Sequence, residues 1–433
     1  MKQNFIDSEN KSSINKKLNV FETFSGIGSQ HKAFKNAFDE SKFEIIATSE
    51  WEIYAIIAYD AIHHGPVKQK SLNTLLNTLL NRGGIVSAND LSTFLSRYSF
   101  SKNGEKETDI NKVINREWEL AQRLAIAMKR NKNIGSILDF DKTKIDKNIN
   151  LLTYSFPCQD LSIASMGRGT GMAKGSENRS GLLWKVSNIL ESYTQEELPE
   201  FLLLENVPNM LSQNHKKDYE EWVSYLDSKG YQTITEILDA RNYGIPQSRR
   251  RVFAISFNIN KLNINNFEEI KTRYKKHLKD EEGNLLSKWE PKQVNEILKN
   301  SFLSLKKHKD EALACLMKDT PSRVKMVNEN KDLLHPDLTY FRTLTKKQDR
   351  NPNVGFVTTD FDKEYYLKQR FITPREAYKI MGFTDKDFEN TKNDIYKFSK
   401  EKYYSQAGNS IVVNVLEAIF KFVMEVWDEN NRK

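Results

Sequence analysis

The chain has 433 residues, which is too long for one compact core and therefore predicts at least two domains. Hydrophobic residues make up 38% and charged residues 29%, as in globular proteins, and no apolar run approaches the roughly 20 residues that span a bilayer. The formal net charge of +8 is compatible with a polyanionic partner, and equally with a chain that is simply rich in lysine.

The amino-terminal stretch and the cysteines narrow the class of protein further. Residues 1–17 are polar and lack the apolar segment of a signal peptide, so we expect a cytoplasmic protein without membrane contact. Cys158 and Cys315 are its two cysteines. Two thiols are too few for a disulfide scaffold or a zinc site built from thiolates alone, and we expect no metal.

Short runs rich in β-branched and aromatic residues predict buried strands, with helical stretches between them. The predicted strands are 20–24, 43–48, 151–156, 201–204 and 252–256. The predicted helices are 30–38, 53–62, 182–193 and 219–228. This alternation predicts an α/β protein with a doubly wound, mostly parallel, Rossmann-like sheet. Ligands of such sheets bind beyond the carboxyl ends of the strands.

Two regions interrupt the alternation. A leucine-rich piece (71–80), a Gly83-Gly84 break and a helical piece (116–130) predict a helical insertion at about residues 65–132. Beyond residue 257 the chain becomes lysine-rich and irregular, which predicts a smaller second domain. The predicted organisation is a first domain over 1–257, a second over 258–369, and a C-terminal segment, 370–433, that returns to the first domain.

The first candidate site follows the first predicted strand. Gly26 and Gly28 let the backbone approach a ligand closely, but the third glycine of a dinucleotide fingerprint is missing. This disfavours a nicotinamide cofactor and leaves a nucleoside-like ligand. Glu50, before Trp51, ends the next strand, where an acid suits a ribose diol. A surface glutamate beside a core tryptophan would show the same pattern.

The second candidate site is Pro157-Cys158-Gln159, directly after a strand. A free cysteine is usually a small buried hydrophobe, but this one follows a strand in a polar loop, where a lowered thiol pKa makes a nucleophile. Two motifs beside later strands offer partners, Glu205-Asn206-Val207 and 247–251 (Gln-Ser-Arg-Arg-Arg). A carboxyl group at a strand end can carry a proton, and arginines can clamp a phosphate or a base carbonyl. A helix-capping acid and a solvated basic turn explain each motif equally well.

In their order along the chain, these motifs resemble the motif series of the cytosine-5 DNA methyltransferases. The series is Gly-x-Gly, Glu-Trp, Pro-Cys-Gln, Glu-Asn-Val, Gln-x-Arg-x-Arg and, at 406–410, Gln-Ala-Gly-Asn-Ser. The resemblance covers about residues 18–256 and 370–425. It implies a catalytic first domain that transfers a methyl group from S-adenosylmethionine to carbon 5 of a cytosine flipped out of double-stranded DNA.

The resemblance also implies roles for individual residues. Cys158 is expected to attack carbon 6 of cytosine and Glu205 to hydrogen-bond ring nitrogen 3, with Arg249 and Arg251 near the base carbonyl and the active-site loop. The cofactor is expected against Phe24, Gly26, Gly28, Glu50, Trp51, Ser136, Ile137, Pro157, Leu183 and Asn409. Where the family commonly has an acid for the adenine amino group, this chain has Ser136, a weaker acceptor.

The family's variable target-recognition region corresponds to residues 258–369, where 342–350 resembles its Thr-Leu element. The residues expected to contact DNA are Gln159, Ser162, Arg342, Lys346, Lys347, Gln348 and Arg350, although a solvated basic turn explains any one of them. We expect a monomer that protects DNA in a restriction-modification system, with a cognate restriction endonuclease acting separately.

Four other functions fit these motifs less well. The nearest is a tRNA cytosine-5 methyltransferase, as in one branch of the family, but that branch has a short recognition region. A Rossmann-type oxidoreductase is disfavoured by the missing glycine and by Pro-Cys-Gln. A zinc deaminase needs Pro-Cys-x-x-Cys, and here Leu161 stands at the second cysteine position. A non-catalytic DNA-binding protein would leave the combination of Cys158, Glu205 and Arg249 unexplained.

Overall fold

The fold is seen in a computed structural model that describes residues 16–81, 83–157, 161, 179–279, 308–335, 339–348 and 353–432. Within these residues the central sheet consists of β1 (Leu18–Thr23), β2 (Phe43–Ser49), β3 (Leu151–Tyr154), β4 (Phe201–Asn206), β5 (Tyr231–Asp239) and β6 (Arg250–Asn258). Their order across the sheet is β2-β1-β3-β4-β6-β5. β1 to β4 run parallel, and β6 is antiparallel to both of its neighbours. The predicted mostly parallel sheet is confirmed.

One strand of this sheet, β5, was not predicted. Partly exposed and exposed residues interrupt its buried ones, as fits a strand at the edge of the sheet, so it lacks the continuous apolar run of a central strand. After β5 the chain reverses direction, and β6 lies between β5 and β4, antiparallel to both. The amino end of β6 therefore lies beside the carboxyl end of β4.

Helices cover both faces of the sheet. They are α1 (Ser29–Ala37), α2 (Ile53–His64), α7 (Leu183–Glu191), α8 (Lys216–Ser228) and α15 (Val413–Arg432). Successive strand residues point to opposite faces: Val20 joins the core with α1, α2 and α15, whereas Phe21 joins the core with α7 and α8. The doubly wound arrangement is confirmed, and the buried apolar residues of α15 pack in the first of these cores.

The predicted insertion is helical, as expected, but it holds more helices than the sequence suggested. They are α3 (Gln69–Leu80), α4 (Ala88–Leu95), α5 (Ile110–Arg116) and α6 (Trp118–Arg130). The two shorter ones, α4 and α5, were missed although both have local start signals: Ser87 caps α4 in a box with Asp90, and Asp109 caps α5. Leu91, Val113 and other buried residues of the insertion belong to the same core as α2.

A second, smaller sheet follows. It consists of β7 (Leu316–Lys318), β8 (Leu334–His335), β9 (Phe356–Thr358) and β10 (Tyr366–Phe371) in the order β7-β10-β9-β8. Its core includes Cys315, Met317 and Phe356 and is separate from the cores of the large sheet. The helix α10 (Lys309–Leu313) precedes β7, and α11 (Pro321–Glu329) lies between β7 and β8.

The domain boundary predicted at residue 258 stays a prediction. The first helix beyond it packs on a helix that covers the central sheet. α9 (Phe267–His277) lies beyond that boundary, yet Tyr274 packs on Phe422 of α15 with ring centroids 5.1 Å apart. The C-terminal part also contains α12 (Pro374–Lys379), α13 (Asp385–Lys392) and α14 (Lys400–Asn409). Within the described ranges, no helix is long and apolar enough to cross a membrane.

Candidate active site

Four parallel strands end at one edge of the central sheet, called the carboxyl edge below. Phe24 follows β1, Glu50 follows β2, Pro157 lies three residues beyond β3, and Glu205 is the penultimate residue of β4. Parallel strands side by side bring their carboxyl ends together, so residues far apart in sequence converge here. This is the edge at which the sequence motifs predict the site.

Glu50 connects the first two strand ends. One carboxylate oxygen accepts a hydrogen bond from the Gly26 backbone N–H at 3.0 Å, and the other accepts from the N–H groups of Trp51 and Glu52, both at 2.8 Å. Burial raises the pKa of Glu50, although these three donors oppose that effect. The carboxylate therefore holds the loop after β1 against the end of β2.

The two glycines after β1 have different roles. Both have positive φ, +54° at Gly26 and +83° at Gly28. A Cβ atom at Gly28 would lie 2.3 Å from His63 Nε2 and 2.7 Å from Tyr59 Cε2, so this glycine is needed for packing on α2. A Cβ at Gly26 would meet nothing within 4 Å. The open space beside Gly26, bordered by Glu50, fits a nucleoside cofactor whose ribose diol needs an acceptor.

Apolar residues continue this site on the side of α7. Phe24 packs, partly exposed, on the core that contains Ile137 and the fully buried Leu183. Ser136 is 7% exposed, and its hydroxyl oxygen accepts from the Leu138 backbone N–H at 3.2 Å. That bond uses one lone pair of the hydroxyl, which supports the expectation of a weak contact to adenine. The remaining predicted cofactor residue on a helix, Asn409, is the exposed last residue of α14.

Glu205 and Arg251 form an ion pair at the carboxyl edge. Arg251 Nε lies 3.2 Å from Glu205 Oε1, with side-chain exposures of 16% and 11%. Burial raises the pKa of Glu205, while the positive charges of Arg251 and Arg249 lower it, and the net direction is upward. Such a carboxyl group keeps its proton to higher pH than a free glutamic acid, which suits it to carry a proton.

Arg249 occupies a different environment from Arg251. It is 4% exposed, and its guanidinium donates to the main-chain carbonyl of Leu344 at 3.0 Å. It also donates to the carbonyls of Gly408 and Ser410, at 3.1 and 2.8 Å. The sequence suggested similar roles for both arginines, whereas the structure brings Arg251 to the carboxylate and ties Arg249 to the backbone of two other segments.

Sequence reasoning gave no role to Gln247, which completes this junction. Its side chain is fully buried; Nε2 donates to the Ile380 carbonyl at 2.7 Å, and Oε1 accepts from the Leu344 N–H at 2.8 Å. Gln247 and Arg249 together therefore satisfy both backbone polar groups of Leu344. The sequence does contain a signal for Gln247, because it is the first residue of the Gln-x-Arg-x-Arg motif.

Two asparagines were also missed, and they hold the backbone on either side of the predicted nucleophile. Asn206 Nδ2 donates to the Phe156 carbonyl at 3.2 Å, and Asn209 Nδ2 donates to the Leu161 carbonyl at 2.7 Å. Cys158 itself, with Gln159 and Ser162, lies outside the described residues. The Glu-Asn-Val-Pro-Asn motif thus supplies both the carboxyl group and the anchors of the neighbouring loop.

The predicted DNA-contacting residues differ in their exposure to solvent. Arg342 is exposed and pairs with Asp332 at 2.7 Å, and Lys347 is exposed as well. Lys346 lies 3.6 Å from Glu105 of the insertion. Gln348 is fully buried and accepts from the Val354 N–H at 3.4 Å, so contact with a base edge would require this segment to move. Arg350 lies outside the described residues.

Comparisons with known proteins identify the family. The family model of C-5 cytosine-specific DNA methylases matches residues 96–425. The chain is 33% identical to the type II methyltransferase M2.ScrFI of Lactococcus lactis subsp. cremoris, over 93% of this chain and 98% of that one. It is 32% identical to the orphan methyltransferase M.SssI of Spiroplasma monobiae, over 95% and 97% of the two chains.

Solved structures agree at the level of the fold. The S. pombe Dnmt2 methyltransferase covers 94% of this chain, and this chain covers 99% of it, with a TM-score of 0.54 and 17% identity. The sequence match over nearly the whole chain goes further than this fold likeness. The chain belongs to the C-5 cytosine-specific DNA methylase family and is a DNA (cytosine-5-)-methyltransferase.

Proposed function

We propose that this enzyme methylates a flipped-out cytosine in double-stranded DNA with Cys158 as nucleophile, Glu205 as the group that hydrogen-bonds and protonates the ring, and S-adenosylmethionine as methyl donor. The observation that carries the proposal is the ion pair of the buried Glu205 with Arg251, 3.2 Å apart, beside two asparagines that anchor the loop of Cys158. These groups belong to three sequence motifs and converge on one edge of the sheet.

The chemistry requires a nucleophile and an acid on the same base. Carbon 5 of cytosine is a poor nucleophile until a thiolate adds to carbon 6, which makes the ring enamine-like. Protonation or hydrogen bonding at ring nitrogen 3 makes that addition easier, and the raised pKa of Glu205 suits this task. The Arg251 guanidinium keeps the carboxyl group in place. Loss of the carbon 5 proton and of the carbon–sulfur bond then restores Cys158.

S-adenosylmethionine, when bound, supplies an electrophilic methyl group. Phe24 and Ile137 offer apolar surface for its adenine, with the buried Leu183 in the core beneath them, and Glu50 offers the carboxylate for its ribose. The open space beside Gly26 admits the ligand close to the backbone. Further cofactor contacts proposed from the family's motifs are Gly28, Trp51, Ser136, Pro157 and Asn409.

We assign target reading to the region predicted at 258–369, which holds the small sheet and the exposed Arg342 and Lys347. A protective role in restriction-modification is part of the proposal, because M2.ScrFI is named a type II methyltransferase. M.SssI is named an orphan methyltransferase, so a cognate endonuclease stays a prediction. A monomeric state and a cytoplasmic location stay predictions as well.

The proposal is tested with purified protein and S-adenosylmethionine labelled in its methyl group. Label should enter duplex DNA and not tRNA; entry into tRNA alone would establish the RNA alternative. Cys158→Ala should abolish transfer, and Cys315→Ala, the control, should keep it, since Cys315 lies buried in the core of the small sheet. A Cys158→Ala variant with wild-type turnover would remove Cys158 from the mechanism.

A further inference from the structure

One loop of the helical insertion lies at the carboxyl edge of the central sheet, beside the predicted cofactor residues. This loop, residues 98–108 and called the rim loop below, lies between α4 and α5. Ser101 is fully buried in it and pairs with the chain after β2: its N–H donates to the Trp51 carbonyl at 2.8 Å, and its carbonyl accepts from the Ile53 N–H at 2.9 Å. The rim loop therefore extends the end of β2 as an added strand-like segment.

The same loop also holds the turn that carries Ser136 and Ile137. The Ser99 N–H donates to Asp139 Oδ2 at 2.8 Å, and the Ser99 hydroxyl to Asp139 Oδ1 at 3.2 Å. Tyr98 lies against Gly135, where a Cβ atom would come within 3.0 Å of Tyr98 Cδ1. Hydrogen bonds to a carboxylate are stronger than neutral ones, so Asp139 is a firm anchor for the loop.

A third segment contacts the rim loop from the C-terminal side. Lys402 of α14 donates to the Lys102 carbonyl at 2.6 Å, and its ammonium group lies 3.4 Å from Glu52 Oε1. α14 ends at Asn409, another predicted cofactor contact. Three segments that carry predicted cofactor residues thus meet on one loop of the insertion.

We infer that the rim loop is a structural part of the cofactor site, with Asp139 as a positioning residue that sets the spacing between the ribose side at Glu50–Trp51 and the adenine side at Ser136–Ile137. The inference rests on the proposed function for the identity of the cofactor. The end of β2 at Glu50–Trp51 and the turn at Ser136–Ile137 are separate segments, so the distance between them depends on the contacts that join them. Direct bonds from the Ile134 N–H to the Thr48 carbonyl and from the Ser49 hydroxyl to the Gly135 carbonyl join the two segments at their base. The buried backbone pairing at Ser101 and the Ser99–Asp139 bonds add a second connection, beyond Trp51 and Ile137.

The connection is tested by measuring cofactor binding without catalysis. Asp139→Ala removes the carboxylate that holds Ser99. Asp141→Ala is the matched control, because the Asp141 carboxylate accepts hydrogen bonds from its near neighbour Thr143. Titration calorimetry with S-adenosylhomocysteine should give a Kd about tenfold higher for Asp139→Ala, which corresponds to about 1.4 kcal/mol, and a wild-type Kd for Asp141→Ala. The Kd for duplex DNA should stay within about twofold in both variants.

A second variant separates positioning from general loss of structure. Tyr98→Ala removes the side chain that packs on Gly135 and leaves the Ser99–Asp139 bonds in place, and it should weaken cofactor binding in the same direction. Thermal unfolding and DNA binding report whether each variant is folded. If folded Asp139→Ala and Tyr98→Ala both bind S-adenosylhomocysteine as the wild type does, the inference is overturned. If the wild type itself binds neither S-adenosylhomocysteine nor S-adenosylmethionine, the proposed cofactor is wrong instead.

Discussion

At the scale of single residues, the two arginines of Gln-x-Arg-x-Arg have different partners and different roles. Arg251 lies 3.2 Å from Glu205 and keeps the carboxyl group oriented. Arg249 donates to three main-chain carbonyls and connects segments instead. The spacing of the motif explains this difference. Side chains two apart on a strand share a face, but Arg249 precedes β6 and is free of that constraint.

The raised pKa of Glu205 predicts a pH dependence. An acid whose pKa is raised keeps its proton to higher pH, so its ability to protonate the base is present below the raised value and is lost as pH rises through it. The rate of methyl transfer under single-turnover conditions should therefore fall on the alkaline side. Glu205→Gln should lower this rate about 10²- to 10⁴-fold, the usual contribution of an acid–base group, and flatten that side of the profile.

The matched control for this experiment is Glu200→Gln. Glu200 is also a buried glutamate with a cationic partner, Lys261 at 2.9 Å, but it precedes β4 and lies at the opposite end of that strand. Its substitution should leave the shape of the profile unchanged. An unchanged alkaline limb in Glu205→Gln would show that another group titrates there.

At the scale of elements, the site depends on a junction of three segments. The turn at Gln247–Arg249, the Thr-Leu segment around Leu344 and the end of α14 meet through buried hydrogen bonds. The approach is so close that Gly408 leaves no room for a side chain: a Cβ atom would lie 2.5 Å from Lys346 N and 2.5 Å from Thr345 C. Both are backbone atoms, so they cannot move aside as a flexible side chain would.

Gly408→Ala should therefore displace the Thr-Leu segment. Overpacking of this kind typically costs about 1–3 kcal/mol of folding free energy, and we expect a loss of that size in urea unfolding with at least a tenfold loss in the rate of DNA methylation. Gly84→Ala is the control, because a Cβ atom at Gly84 meets nothing within 4 Å. Equal activity of the two variants would show that the junction tolerates a shift.

At the scale of the whole molecule, the insertion is part of the main body and shares its core. Arg123 of α6 is fully buried; its guanidinium pairs with Asp60 of α2 at 2.7 Å and with Asp394, which follows α13, at 2.8 Å. Asp394 also accepts from the Val67 N–H at 2.9 Å. One arginine thus joins the insertion, the catalytic core and the C-terminal segment.

Arg123→Met should destabilise the molecule as a whole. Removing one member of a buried ion group costs about 3–5 kcal/mol, which denaturant unfolding measures directly. Asp394 loses its pairing with Arg123, whereas Asp60 still pairs with Arg130 at 3.1 Å. Because the insertion shares the core of α2, we expect the main transition to move to lower denaturant concentration without a separate early step. Arg97→Met, on an exposed arginine of the same insertion, should change stability by less than about 0.5 kcal/mol. Equal stabilities of the two variants would contradict this account.

The sequence by itself determined the alternation of strands and helices, the helical character of the insertion and the order of the motifs, because periodicity and strand-end chemistry are local properties. It placed Glu50 and Glu205 at strand ends, and the structure agrees. The tertiary structure alone decided the direction of β6, which brings Arg251 to the same edge although it lies at the amino end of its strand. It also distinguished Gly26 from Gly28 and joined the rim loop to Asp139. These features depend on which distant surfaces are buried together, and no local pattern records that.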